Sequence, residues 1–160
     1  MNVSQIMKRN VETCHPDESL EVAAGRMWQG DVGGLPVVSS DGTVIGMITD
    51  RDVSMAAYTQ GRLLRDIPVR VAMSKEVFSC SETDGLINAE ETMRAHRVRR
   101  LPVVDATGSL AGIVSLNDLA REAEREAGKK GRAVSAQEVT ATLAAIGEPR
   151  RVDALVVAAV

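Results

Sequence analysis

Leu35-Pro36-Val37-Val38 decides the fold, because Leu101-Pro102-Val103-Val104 repeats it 66 residues later and the same shift carries much of the chain onto itself. It takes Met7 to Met73, Val11 to Val77, Cys14 to Cys80, Leu20 to Leu86 and Ala23 to Ala89 without a gap. It also takes Met27 to Met93, Gly42 to Gly108, Gly46 to Gly112 and Asp52 to Asp118. Chance does not hold one register over so many positions. The chain therefore consists of two copies of one unit, 1–59 and 72–125, in register from about residue 6, with a linker at 60–71 and a tail at 126–160.

Around each quartet the hydrophobic period gives the same order. A short extended piece comes first, at Val11 and Thr13 in one copy and at Val77 and Ser79 in the other. Leu20, Ala23, Ala24 and Met27 then fall at i, i+3, i+4 and i+7, the stripe of a helix that faces a core. The quartet strand follows, then an Asp41-Gly42 turn, a second strand at 44–49 and a second helix from 50 to about 59. The expected class is mixed α/β (α+β), two β-α-β-β-α units related by a pseudo-twofold axis. In the tail, Ser135 with Glu138 makes a capping box that predicts a helix through Ile146. The apolar run at 154–160 fits a strand, a docking peptide or a dimer contact.

Composition limits the function. With 160 residues there is room for one core or two small ones, not for a large enzyme. A balance of 19 basic and 22 acidic residues gives no bulk attraction to nucleic acid or an anionic membrane. Only three aromatic residues occur, Trp28, Tyr58 and Phe78, so aromatic base-stacking platforms are not expected. Trp28, beside the core position Met27, marks a helix interface. The longest apolar run is far short of the roughly 20 residues that span a bilayer, and no apolar stretch behind a basic start marks a secretion signal. A reduced, cytoplasmic protein is expected. Two cysteines make no disulfide framework, and Cys14-His15 lacks the second ligand pair that a metal site needs.

Chemistry gathers at the end of the second strand, which reads Gly46-Met47-Ile48-Thr49-Asp50-Arg51-Asp52 and later Gly112-Ile113-Val114-Ser115-Leu116-Asn117-Asp118. A hydroxyl where strand becomes helix sits beside free backbone N–H groups, a favourable place for an anion. An acid one turn on is suited to accept hydrogen bonds from paired ribose hydroxyls. A plainer alternative stands beside this one, in which Thr49 and Ser115 cap their helices and Asp52 and Asp118 favour the helix dipole.

Over about 6–125 these motifs, the Leu-Pro-Val-Val strands and the duplication resemble the cystathionine β-synthase (CBS) domain in tandem, the Bateman module. The resemblance implies a sensor, not an enzyme, that requires no cofactor and binds AMP, ADP or ATP, or S-adenosylmethionine or NAD, in clefts between the copies. By resemblance Thr49, Asp52, Ser115 and Asp118 hold ribose and phosphate, while Val11, Thr13, Val77 and Ser79 line adenine. Homodimerisation through the helices into a flat disc, and an unidentified protein target, are also implied.

The copies differ in charge. Arg99 and Arg100 precede Leu101, whereas Gly33 and Gly34 precede Leu35. By resemblance the two arginines contact a phosphate chain, so the second cleft is expected to be basic and dominant. Gly33 and Gly34 are expected to offer only backbone approach in the first. Two other functional classes stay open: a structural dimerisation module, and a thiol redox responder using Cys14 and Cys80.

Overall fold

The computed structural model describes residues 1–149, so the apolar run at 154–160 lies outside the described residues. The first repeat comprises α1 (Leu20–Gly30), β1 (Gly34–Val38), β2 (Val44–Thr49) and α2 (Asp50–Gln60). A single turn, α3 (Val69–Ala72), leads to β3 (Cys80–Ser81), α4 (Leu86–His96), β4 (Arg100–Val104), β5 (Leu110–Ser115) and α5 (Leu116–Arg125). The chain then forms α6 (Ala136–Gly147), whose N-cap Ser135 makes the capping box with Glu138 that its sequence predicts.

Each quartet strand pairs antiparallel with the strand after it, Leu35 opposite Ile48 and Leu101 opposite Val114. The turn between them closes on glycine with positive φ, Gly42 at 86° and Gly108 at 83°, a conformation that other residues adopt only with strain. The early strand lies slightly later than its sequence suggests. Pairing begins at Cys14, bridged to Val37, and at Cys80, paired with Val103, so Val11, Thr13, Val77 and Ser79 precede the ladder. Burial explains the offset: Cys14 and Cys80 enter the cores, while Val11 and Val77 stay half-exposed.

Those preceding residues cross between the repeats. Lys8 pairs with Ile113 of β5 before the chain reaches Val37, and Ser74 pairs with Met47 of β2 before the chain reaches Val103. The repeat shift maps one crossing onto the other, and Thr43 pairs with Ser109, its own equivalent, which places that bridge on the pseudo-twofold axis. The cores follow the same exchange. Val3 and Met7 pack with Leu86, Met93, Leu101 and Leu119 of the second repeat. Ile67 and Val69, from the segment between the repeats, pack with Leu20, Leu35 and Ile48 of the first. Burying such aliphatic side chains contributes about 1.5–3 kcal/mol each, so each repeat depends on chain that precedes the other.

Candidate nucleotide site

The exchange sets two crossings beside two strand-to-helix turns. Residues 9–13 leave β5 two residues before Ser115, and 75–79 leave β2 two residues before Thr49. Val77 and Ser79 are thus on the crossing next to Thr49 and Asp52, and Val11 and Thr13 on the one next to Ser115 and Asp118.

Each turn is a closed capping box. Thr49 donates from its backbone N and from Oγ1 to Asp52 Oδ2, at 2.9 and 2.7 Å, and Oγ1 accepts from Asp52 N at 3.3 Å. Ser115 and Asp118 repeat this at 2.8, 2.5 and 3.3 Å. Both hydroxyls therefore cap helices, as the plainer alternative holds. One carboxylate oxygen per aspartate is left over. Asp118 Oδ1 accepts from Arg121 on its own helix, whereas among the described residues no protein group bonds to Asp52 Oδ1.

The arginines correct the expected charge distribution. Sequence order assigns Arg100 to the cleft of Asp118, but its guanidinium reaches across to the first repeat. Arg100 Nη2 and Asp50 Oδ2 lie 3.1 and 3.2 Å from where a Cβ on Gly33 would stand. The reach follows from the pseudo-twofold packing, which sets the start of β4 against the start of β1; the absent side chain at Gly33 makes the room. Gly33, expected to offer only backbone, thus has a guanidinium beside it. Arg99 is exposed, and its carbonyl accepts from Leu116 N at 2.9 Å. Gly34 is buried in β1, where a Cβ would stand 3.1 Å from the carbonyl oxygen of Ile48, so strand packing accounts for glycine there.

Two surface clefts flank these residues. One, of about 200 Å³, is lined by Asp52, Met55, Ala56 and Thr59 of α2 with Val71 and Ala72 of α3. The other, of about 320 Å³, is lined by Thr13, Cys14, His15, Glu18, Arg26 and Val38, among others. Ser115, Asp118, Arg99 and Arg100 line neither. In the second, Arg26 grips Glu18 with two hydrogen bonds of 2.7 Å and donates to the Thr13 carbonyl at 2.7 Å, fixing the end of the crossing. The Arg26 guanidinium holds the Glu18 carboxyl below the usual range. Sequence reasoning missed Arg26 and Glu18; an acid and a base eight positions apart carry no periodic signal.

Cys14 and Cys80 are buried in separate cores. Burial, with smaller pushes from Glu18 and Asp84, raises the thiols from 9.0 to about 11 and about 12 respectively. Folding therefore disfavours the thiolate. The stability these groups supply is complete below pH 9.0 and is lost as pH rises through about 11 and 12. Iodoacetamide at about pH 8 is expected to spare both thiols in the folded chain and to label both in denaturant, and chemical unfolding is expected to grow easier as pH rises past 9.0. Rapid labelling of either thiol in the native state revives the redox alternative. Among the described residues no cluster of three or more His, Cys, Asp or Glu is placed to hold a metal ion, and no helix is long and apolar enough to cross a membrane.

A duplicated strand-helix-strand-strand-helix unit with exchanged leading segments defines a class. The model of the CBS domain matches residues 3–58 and again 64–125, and the chain belongs to the CBS domain family. It is similar to the CBS domain-containing protein YhcV of Bacillus subtilis, 40% identical over 119 residues, 74% of this chain and 83% of that protein. Among solved structures it is similar to CBSX2 in complex with AMP, with a TM-score of 0.66, 25% identity and coverage of 78% of this chain and 96% of that one. It is also similar to the CBS domain pair of MJ0100 in complex with 5'-methylthioadenosine and S-adenosyl-L-methionine, with a TM-score of 0.69, 25% identity and coverage of 76% and 98%.

Proposed function

We propose that this CBS domain pair binds an adenine nucleotide (AMP, ADP or ATP, with S-adenosylmethionine and NAD as the competing adenosine ligands) and acts as a regulatory module rather than as an enzyme. The observation that carries the proposal is Arg100 reaching across the repeat boundary to the Thr49–Asp52 turn, where Gly33 leaves room beside it. In the first cleft the spare oxygen of Asp52 accepts from the ribose hydroxyls, Val77 and Ser79 flank the adenine, and Arg100 meets the phosphate. Asp50 stands on the other side of Gly33 without an ion pair to Arg100, so the guanidinium meets the incoming anion without first breaking one. Ser115 and Asp118, with Val11, Thr13 and Arg99, form the weaker pseudo-symmetric site, because Arg121 already occupies the second oxygen of Asp118.

A ligand held by Asp52 of one repeat and Arg100 of the other ties the two repeats together. That gives it a differential affinity for one relative placement of the repeats, which is what signalling to a protein target requires. The module works as a homodimer in the cytoplasm. CBSX2 with AMP and MJ0100 with S-adenosyl-L-methionine support adenosine as the ligand class.

Thermal unfolding with a panel of AMP, ADP, ATP, S-adenosylmethionine and NAD tests the function. At about 100 times the dissociation constant, one ligand is expected to stabilise the chain by about 2.7 kcal/mol, a rise of roughly 5–10 °C in Tm. A flat panel supports the structural dimerisation module instead.

A further inference from the structure

The repeat shift aligns the two crossings but not what holds them. In the first, Arg26 of α1 donates to the Thr13 carbonyl at 2.7 Å and is itself gripped by Glu18. The shift takes Thr13 to Ser79 but Arg26 to Thr92, whose hydroxyl bonds the Asn88 carbonyl of its own helix at 2.8 Å. Among the described residues no backbone hydrogen bond pairs Val77, Phe78 or Ser79 with another strand or loop. Rings hold the second crossing instead. Phe78 stacks on His96, the last residue of α4, with centroids 3.6 Å apart and planes 15° from parallel. The equivalent positions in the first repeat are Glu12 and Gly30, which can make no such pair.

Two features make this stack a positioning device. In an extended segment neighbouring side chains face opposite ways, and Phe78 packs against the core of the second repeat, which leaves Val77 and Ser79 toward the Thr49–Asp52 turn. The platform under the stack is also fixed. Arg97 caps α4 in the left-handed conformation at φ 54°, Val98 N bonds the Met93 carbonyl at 3.0 Å, and the Arg97 side chain pairs with Glu148 at the end of α6 at 2.8 Å. His96 itself is exposed, so its ring covers Phe78 while its polar edge stays in water.

We propose that His96 is a positioning residue for the nucleotide: through Phe78 it holds the crossing that walls the first cleft in its ligand-competent place, without touching the ligand. The inference rests on the nucleotide reading above and adds a side chain outside the cleft that sets its affinity. A ligand binds only those molecules whose wall is in place, and its apparent dissociation constant rises as their fraction falls. A single aromatic pair is a modest interaction, so losing it frees the wall part of the time and does not unfold the repeat.

Nuclear magnetic relaxation and AMP calorimetry on the full-length His96→Ala variant are the test. Without ligand, the amides of Val77, Phe78 and Ser79 are expected to gain mobility, seen as order parameters below about 0.6 against roughly 0.85 for rigid backbone or as new microsecond-to-millisecond exchange. Val11 and Thr13, whose crossing Arg26 pins, are expected to keep their wild-type relaxation. The AMP dissociation constant is expected to rise about fivefold, chiefly through slower association. His96→Phe, which keeps a ring in place, is expected to restore both. A merely structural role shifts the urea midpoint and leaves the affinity of the folded chain alone. Unchanged relaxation at 77–79, an affinity within about twofold of wild type, or a His96→Phe variant no better than alanine overturns the proposal. A wild-type chain that binds no AMP defeats the nucleotide reading instead, and the ligand-free relaxation still decides whether the stack holds the crossing.

Discussion

Gly112→Val is expected to cost the folded chain about 2–4 kcal/mol, combining overpacking with the loss of backbone hydrogen bonds. A Cβ at this position stands 2.8 Å from the carbonyl oxygen of Lys8 and 2.9 Å from the sulfur of Met7. The backbone cannot retreat without breaking the pair that joins the first crossing to β5, Lys8 N to Ile113 O at 2.9 Å and Ile113 N to Lys8 O at 3.0 Å. Gly46→Val should behave alike, since its Cβ meets Ser74 O at 2.7 Å and Met73 sulfur at 3.0 Å. Gly25→Ala is the control; its Cβ meets nothing within 4 Å, and removing a helical glycine is worth about 0.5–1 kcal/mol in its favour. Urea unfolding at constant m-value measures all three. A loss below about 1 kcal/mol at both Gly46 and Gly112 means that the crossings are not held as described.

Asp52→Ala is expected to raise the dissociation constant of the nucleotide at least 10-fold, because a hydrogen bond to a charged group is worth about 1.5–3 kcal/mol. Arg100→Ala should do the same through the phosphate. Asp118→Ala is the matched comparison. Both aspartates close a capping box with the same three hydrogen bonds, so each alanine variant loses about 1 kcal/mol of helix capping, and the loss of fold stability is shared. Only the ligand term separates them. Titration calorimetry should find Asp118→Ala within about threefold of wild type, or about 0.7 kcal/mol. A larger loss at Asp118 than at Asp52 returns the main site to the second cleft, where sequence order alone puts it.

That reversal illustrates how far the residues speak for themselves. Turn chemistry and hydrophobic period are local, so the Leu-Pro-Val-Val strands, the Asp41-Gly42 turn, both helices of each repeat and the Ser135 capping box were all legible. Partner choice between two near-identical repeats is not local. Val3 and Met7 announce that they need burial, but their pattern serves either core, and only the fold shows that they pack with Leu101 rather than with Leu35. The same ambiguity hid the reach of Arg100, since a basic residue before β4 seems to belong to its own repeat until the pseudo-twofold axis sets it against Gly33. Gly46 and Gly112 were a usable hint. A glycine at the same place in two core strands signals close backbone approach, and both crossings make it.

An adenine nucleotide is expected to sit where a crossing segment meets the strand-to-helix turn of the other repeat. Amide chemical-shift mapping of the intact chain during titration with AMP tests it most directly. Saturable shifts should concentrate at Thr49, Asp52, Val77, Ser79 and the Arg100 side chain, with a smaller set at Val11, Thr13 and Ser115. Shifts confined to α6 or to the α1–α2 face, or none at millimolar AMP and ATP alike, contradict it.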